Sequence, residues 1–168
     1  MPRSFKQRFI AALPTTPPGL NLQLDEFVVF EHDSLVGLDD RAIRLLTEQG
    51  LPRRASPFLS FSSYPSAEVT NLRESGVIPP AFIPLGQNGS GDLLGIDAST
   101  KEVIYFNHDA RNERVFINST LDLFTESLCL YQEHLRAGAM HLCLGKIEAI
   151  DPAAAKVGSM WHAEALAV

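Results

Sequence analysis

The sequence predicts an α+β protein: a mostly antiparallel sheet of about six strands, with a β-meander at its centre and helices packed against it. Two observations predict this. The first is the run from Phe82 to His108, FIPLGQNGSGDLLGIDASTKEVIYFNH, in which short apolar segments alternate with turn formers. Phe82, Ile83 and Leu85 form one segment, Leu93, Leu94 and Ile96 the next, and Val103 to Phe106 the third. Strand formers bounded by Gly, Asn, Asp and Ser read as consecutive antiparallel strands. The second observation is the stretch that follows. Leu121, Phe124, Leu128, Tyr131 and Leu135 fall at steps of three and four, an apolar stripe down a helix of about four turns.

The elements follow in chain order. Ser4 to Leu13 reads as a short amphipathic helix stopped by Pro14, and Thr15 to Gly19 is a connector. Phe27-Val28-Val29-Phe30, within Leu24 to Phe30, reads as a strand without clean alternation. It is either buried on both faces or an edge under the N-terminal arm. A helix is expected from about Asp40 to Gln49, capped by Asp39 or Asp40, with Ile43, Leu45 and Leu46 inward. Gly50 closes its last turn and Leu51-Pro52 prevents continuation. Phe58 to Phe61 reads as a strand, and Val69 to Leu72 as a strand or an irregular surface stretch. A fourth meander strand is expected at Glu113 to Ile117.

For the long helix, Asn118 or Ser119 is the expected cap, with Asp122 three residues after Ser119 as an approximate capping box; Gly138 ends it. Asp122 and Glu126 early, His134 and Arg136 late, match the helix dipole. Asp151-Pro152 reads as an N-cap and first-turn pair opening a C-terminal helical extension over about 151–165. Val157, Met160, Trp161 and Leu166 are its docking residues.

Bulk properties bound the function. At 168 residues the chain is expected to form one domain, 1–168, burying about two-thirds of its unfolded surface. Apolar residues are 45% and charged residues 20%, as in ordinary globular proteins. No apolar stretch approaches the roughly 18 residues of a membrane span. Phe9 to Leu13, after Arg3, Lys6 and Arg8, is too short for a signal-peptide core, so a cytoplasmic location is expected. Cys129 and Cys143 have no CxxC partner and read as buried free thiols. The net charge, 14 − 20 = −6, speaks against nucleic acid, whose phosphates call for clustered Lys and Arg, and suits a basic partner.

Catalytic and cofactor readings find little support. The glycine turn lacks the Lys and following helix of a phosphate loop, and Asp92 would repel an anion. His108 and Asp109 with Asp97 have ligand chemistry, but no zinc-site spacing accompanies them; a polar strand end is the plainer reading. Ser60, Ser62 and Ser63 lie outside any nucleophile elbow. The chain is therefore expected not to be an enzyme and to need no metal or cofactor. The partner-contact candidates are acids of the meander turns: Asp92, Asp97, Glu102, Asp109 and Glu113.

One ordered set of motifs is more specific. Gly50-Leu51-Pro52 precedes Phe58 to Phe61; then come FIPLGQNGSGDLLGID, EVIYFNHD, and Asn118-Ser119 opening the Leu121, Phe124, Leu128 stripe. This order resembles the SUKH (Smi/Knr-like) superfamily of bacterial immunity proteins, and within it the fourth group with its GLP element. The resemblance covers about residues 34–136, taken as the core. It implies an α+β fold with a sheet of about six strands, and a role in neutralising a cognate polymorphic toxin, often a nuclease or deaminase, by binding it. It implies no shared catalytic apparatus and a structural role for Gly86, Gly89, Gly91 and Asp92. Gln87-Asn88 departs from the common pattern, where an acid is frequent before the second glycine. A regulatory scaffold of the same fold, binding a cellular partner, is the alternative, and a small hydrolase or metal enzyme the remaining one.

Overall fold

Short polar turns reverse the chain after each apolar segment, so the segments pair with their sequence neighbours. In the computed structural model, which describes residues 3–167, six strands lie side by side in chain order, every pair antiparallel. They are β3 (Arg54–Ala55), β4 (Leu59–Phe61), β5 (Phe82–Gln87), β6 (Leu93–Asp97), β7 (Val103–Asn107) and β8 (Glu113–Asn118). A separate ribbon pairs β1 (Phe27–Val28) with β2 (Leu51–Pro52). The expected Leu24–Phe30 strand is thus only two residues long, and Phe30 turns into the core. The α+β class and the meander stand as expected.

Pro84 has no amide hydrogen to donate, and the register of β5 against β6 shifts between Pro84 and Gly86. Gly86 is required there by close approach, since a Cβ on it would lie 2.1 Å from the carbonyl oxygen of Ser60 on β4.

Both sheet faces are covered, which is why the strands read as apolar runs and not as alternation. Ile83, Leu85, Leu94, Ile96, Val103 and Ile117 point into the main core, while Phe82 and Ile104 point the other way. The main core is filled by α4 (Leu121–Ala137) through Leu121, Phe124, Leu128 and Tyr131. Leu135 is 44% exposed, so the stripe ends a turn earlier than expected. The cap of α4 is Thr120, whose hydroxyl accepts from the Leu123 amide at 3.3 Å, in place of Asn118 or Ser119. Those two residues are engaged by Asp151 instead. Gly138, at φ 65°, ends the helix.

The opposite face carries α3 (Ser66–Glu74), where a strand or irregular stretch was expected at Val69–Leu72. Val69 and Leu72 join Ile78, Phe82 and Ile104 in a second apolar cluster. Pro65 stands at the start and Glu68 in the first turn, but Val69 alone is fully buried, so the helical stripe is thin.

At the N-terminus, α1 (Phe5–Ala12) begins in a reciprocal capping box of Ser4 and Gln7 and packs on α4, with Phe9 fully buried. Arg8 binds Glu126 at 2.5 Å and Glu133 at 2.6 Å across that contact. Asp39 caps α2 (Asp40–Arg44), which widens into a π turn, Leu45–Gln49, before Gly50 at φ 74°. The apolar core therefore runs from Phe9 to Trp161, past both ends of the 34–136 stretch. No described helix is long and apolar enough to cross a membrane.

The C-terminal region differs most from expectation. An unforeseen helix, α5 (Cys143–Ile150), precedes Asp151. The expected helix over 151–165 is a 3₁₀ turn (Pro152–Ala155), a corner at Gly158 and a separate α6 (Met160–Leu166) capped by Ser159. Asp151 does not cap with its side chain. It turns inward and accepts from Asn118 Nδ2 at 3.0 Å, the Ser119 amide at 2.8 Å and Ser119 Oγ at 2.8 Å. Asn118 Oδ1 in turn accepts from Trp161 Nε1 at 2.8 Å. Met160 and Trp161 are buried; Val157 and Leu166 are exposed. Cys129 and Cys143 are free and buried.

Candidate partner-binding surface

The turn Gln87–Asp92 is built on two side chains. Asn88 Oδ1 accepts from the amides of Ser90 (3.0 Å) and Asp92 (2.9 Å), an Asx turn, and Gly91 supplies φ 83°. Asp92 Oδ2 accepts from Asn88 Nδ2 at 2.9 Å, while its Oδ1 accepts from the His108 amide at 3.0 Å and contacts His108 Nδ1. Burial opposes the ionised Asp92 carboxylate. The hydrogen bonds from the His108 amide, Asn88 and the His108 ring outweigh it and hold its pKa below the ordinary aspartate value. The His108 ring is raised in turn, first by its bond to Asp92 and then by the nearby Asp109 charge.

The meander alternates its corners between two ends, and this divides the five predicted acids. At one end Asp97 accepts from the Ser99 amide at 3.0 Å; Arg114 bridges Asp97 (3.5 Å) and Glu102 (2.5 Å). At the other end lie Asp92, Asp109 and Glu113. Asp109 is exposed, 3.3 Å from His108 Nε2, and Glu113 is exposed on β8. Asp92 is only 5% exposed. As an exposed contact acid it is corrected: its oxygens are spent tying the β5–β6 corner to the end of β7. The imagined cluster of Asp97 with His108 and Asp109 also dissolves, since these residues sit at opposite ends.

Sequence reasoning missed three residues at the second end. A cleft of about 370 Å³ is lined there by Phe58, Asp92, Tyr105, Asp109 and Glu164, among others. Glu164 comes from α6 and is half-buried; burial raises its pKa. Tyr105 is raised by burial and by the charges of Asp92 and Glu164. Phe58, expected inside a strand, lies just before β4 at φ 56° and is 83% exposed. Inside β4 the alternation is plain, with Leu59 and Phe61 buried and Ser60 exposed, but Phe58 precedes the strand in a left-handed turn, so strand period carried no signal for it. Elsewhere, a cleft of about 490 Å³ between α2 and the start of α4 carries two ion pairs, Arg41 with Asp122 at 2.7 Å and Lys101 with Asp39 at 3.7 Å. Among the described residues no serine of the 60–63 segment is hydrogen-bonded to a histidine, and no group of three or more His, Cys, Asp or Glu side chains is arranged to hold a metal.

The glycine turn, the meander and the helix behind it fall inside one match: residues 28–167 fit the family model described as SUKH-4 immunity protein. The chain belongs to the SUKH-4 immunity protein family. No curated protein and no solved structure gives a significant match. Family membership carries an immunity-protein role, and with it a cognate toxin as the partner. The SUKH-4 match begins at residue 28, so α1 lies outside it although Phe9 is part of the core. Within the match, Gly86 lets β5 approach β4, while Gly89 and Gly91 lie in the corner that carries Asp92.

Proposed function

We propose that this chain is a non-enzymatic cytoplasmic immunity protein that neutralises a cognate polymorphic toxin of nuclease or deaminase type by binding it directly. The observation that carries the reading is the SUKH-4 match over residues 28–167. The net charge of −6 supports a basic partner, as nucleic-acid-cleaving or -editing domains tend to be, because opposite fields speed encounter and disfavour wrong partners. Asp97, Glu102, Asp109 and Glu113 on the meander corners supply part of that field, and Asp92 acts from beneath as a brace. The 168 residues act as one unit in this reading, without nucleic acid or membrane as a ligand.

The test is protection. The toxin-like product of the neighbouring reading frame is induced in cells with and without this chain. Restored growth, together with co-purification of the two proteins, is expected. Undiminished killing at equal expression of the chain overturns the reading.

A further inference from the structure

We propose that Phe58 is the anchor of the toxin-facing surface, and that the toxin meets it with an apolar socket edged by a lysine or arginine that enters the neighbouring acidic cleft. This rests on the immunity reading and deepens it by naming the face and the chemistry of the partner.

Two features unfavourable to the isolated chain coincide at this residue. Phe58 is 83% exposed, and among the described residues it is the one aromatic with a large exposed surface. Its φ of 56° lies in the left-handed region, where a bulky side chain is disfavoured. The free protein therefore holds a large ring outward on a strained backbone. A ring in this state has most to gain from a socket, and aromatic anchors in sockets dominate many interfaces.

The surroundings are fitted to the ring. Gly89 lies beside it, and a Cβ on that glycine would come within 2.9 Å of Phe58 Cβ. The glycine turn thus abuts the aromatic as well as reversing the chain. Phe58 also forms the ridge between two clefts, one of about 530 Å³ on the Leu13, Leu24 and Arg54 side and the acidic one of about 370 Å³.

The acidic cleft supplies the charge. Asp92, Asp109 and Glu164 line it, and among the described residues no lysine or arginine does. Asp92 and Asp109 share His108 as a partner, whereas no described side chain forms an ion pair with Glu164. A cation entering beside Phe58 would meet this half-buried carboxylate and can stack on the π face of the ring, both attractive to ammonium or guanidinium. A second copy of this chain is the poorer occupant, because two acidic faces would repel.

The experiment is calorimetric titration of the full chain against the toxin domain of the neighbouring reading frame, made as a catalytically inactive variant. Phe58→Ala is expected to weaken binding at least about 30-fold, the effect of a hot-spot aromatic, with an unchanged melting temperature. Glu164→Gln is expected to weaken it about 5–10-fold and to flatten its salt dependence, since a half-buried ion pair is lost. Val36→Ala, a comparably exposed apolar residue next to Gly37, which abuts Ala98 at the other end of the meander, is expected to bind as wild type. Wild-type binding with Phe58→Ala within threefold of it overturns the proposal and leaves the immunity reading standing. A dimer that Phe58→Ala converts to monomer with toxin affinity intact also overturns it, in favour of self-association. Absence of wild-type binding overturns the immunity reading and the proposal together.

Discussion

Replacing Asp151 with alanine tests how the C-terminal helices are fastened to the sheet. The carboxylate is buried and accepts from three donors: Asn118 Nδ2 at 3.0 Å, the Ser119 amide at 2.8 Å and Ser119 Oγ at 2.8 Å. After substitution the Ser119 amide loses its acceptor in a half-buried position, at a cost of about 2 kcal/mol. The Ser119 hydroxyl can turn to water, and the Asn118 amide keeps Ser127 Oγ at 3.1 Å, so these two add only about 1 kcal/mol between them. The total, about 3 kcal/mol, corresponds to a fall of about 9 °C in melting temperature for a chain of this size. The losses should reach Trp161, because Asn118 is shared with its indole. The assay is urea unfolding followed by tryptophan fluorescence and by circular dichroism; Trp161 is the single tryptophan, so the first probe reports on this junction. Asp151→Asn, which keeps one acceptor oxygen, should cost about half as much. A loss below about 0.5 kcal/mol for Asp151→Ala would refute the idea that this carboxylate clamps β8 to the C-terminal helices.

Two glycines separate close approach from backbone conformation. Gly86→Ala, with its Cβ driven to 2.1 Å from Ser60 O, should destabilise by about 2–4 kcal/mol, while Gly91→Ala, at φ 83° with open space around it, should cost about 1 kcal/mol; equal melting temperatures would contradict this. Stability should also carry the signature of the His108–Asp92 pair. His108 is raised from 6.5 by Asp92, so its contribution is complete below that value and fades as pH rises through the raised one. Asp92, held below 3.8, contributes above that value and loses its effect as pH falls. Urea midpoints should decline as pH rises above about 6.5, and His108→Ala should flatten that decline; an identical slope in the variant counts against the pairing. Finally, burial pushes the Cys129 thiol up to about 12 and that of Cys143 up to about 11. Neither should react with a disulfide reagent at pH 8 until the protein is unfolded. Prompt labelling of the native chain would show that one of them opens to solvent.

The meander was legible because its signals are local. Every strand from β5 to β8 is bounded by residues that form turns within five positions of it, and the apolar segments read from sequence lie within the observed strands. The long helix was legible for the same reason, through its stripe and Gly138. What failed were features set at a distance. Asp151-Pro152 has the local look of a helix start, but Asp151 is drawn inward by Asn118 and Ser119, 33 and 32 positions earlier. The same pull moved the cap of α4 to Thr120. Helix α3 escaped notice because its few apolar residues need only cover a small second cluster. At the candidate surface the corners were placed correctly, yet the burial of Asp92 depends on His108, sixteen positions on. Glu164 entered the cleft from α6, a helix the sequence had not resolved. Phe58 was not legible, because an apolar residue next to Leu59 and Phe61 reads as strand while it stands in a left-handed turn just before β4.

Direct binding is the step on which toxin neutralisation turns, and one titration addresses it. The purified chain is added to the active toxin domain of the neighbouring reading frame while heat and toxin activity are followed together. A complex with a dissociation constant of about 10 nM or below, and activity lost in step with its formation, is the expected result. No heat at concentrations of about 10 µM, with toxin activity intact, would contradict it.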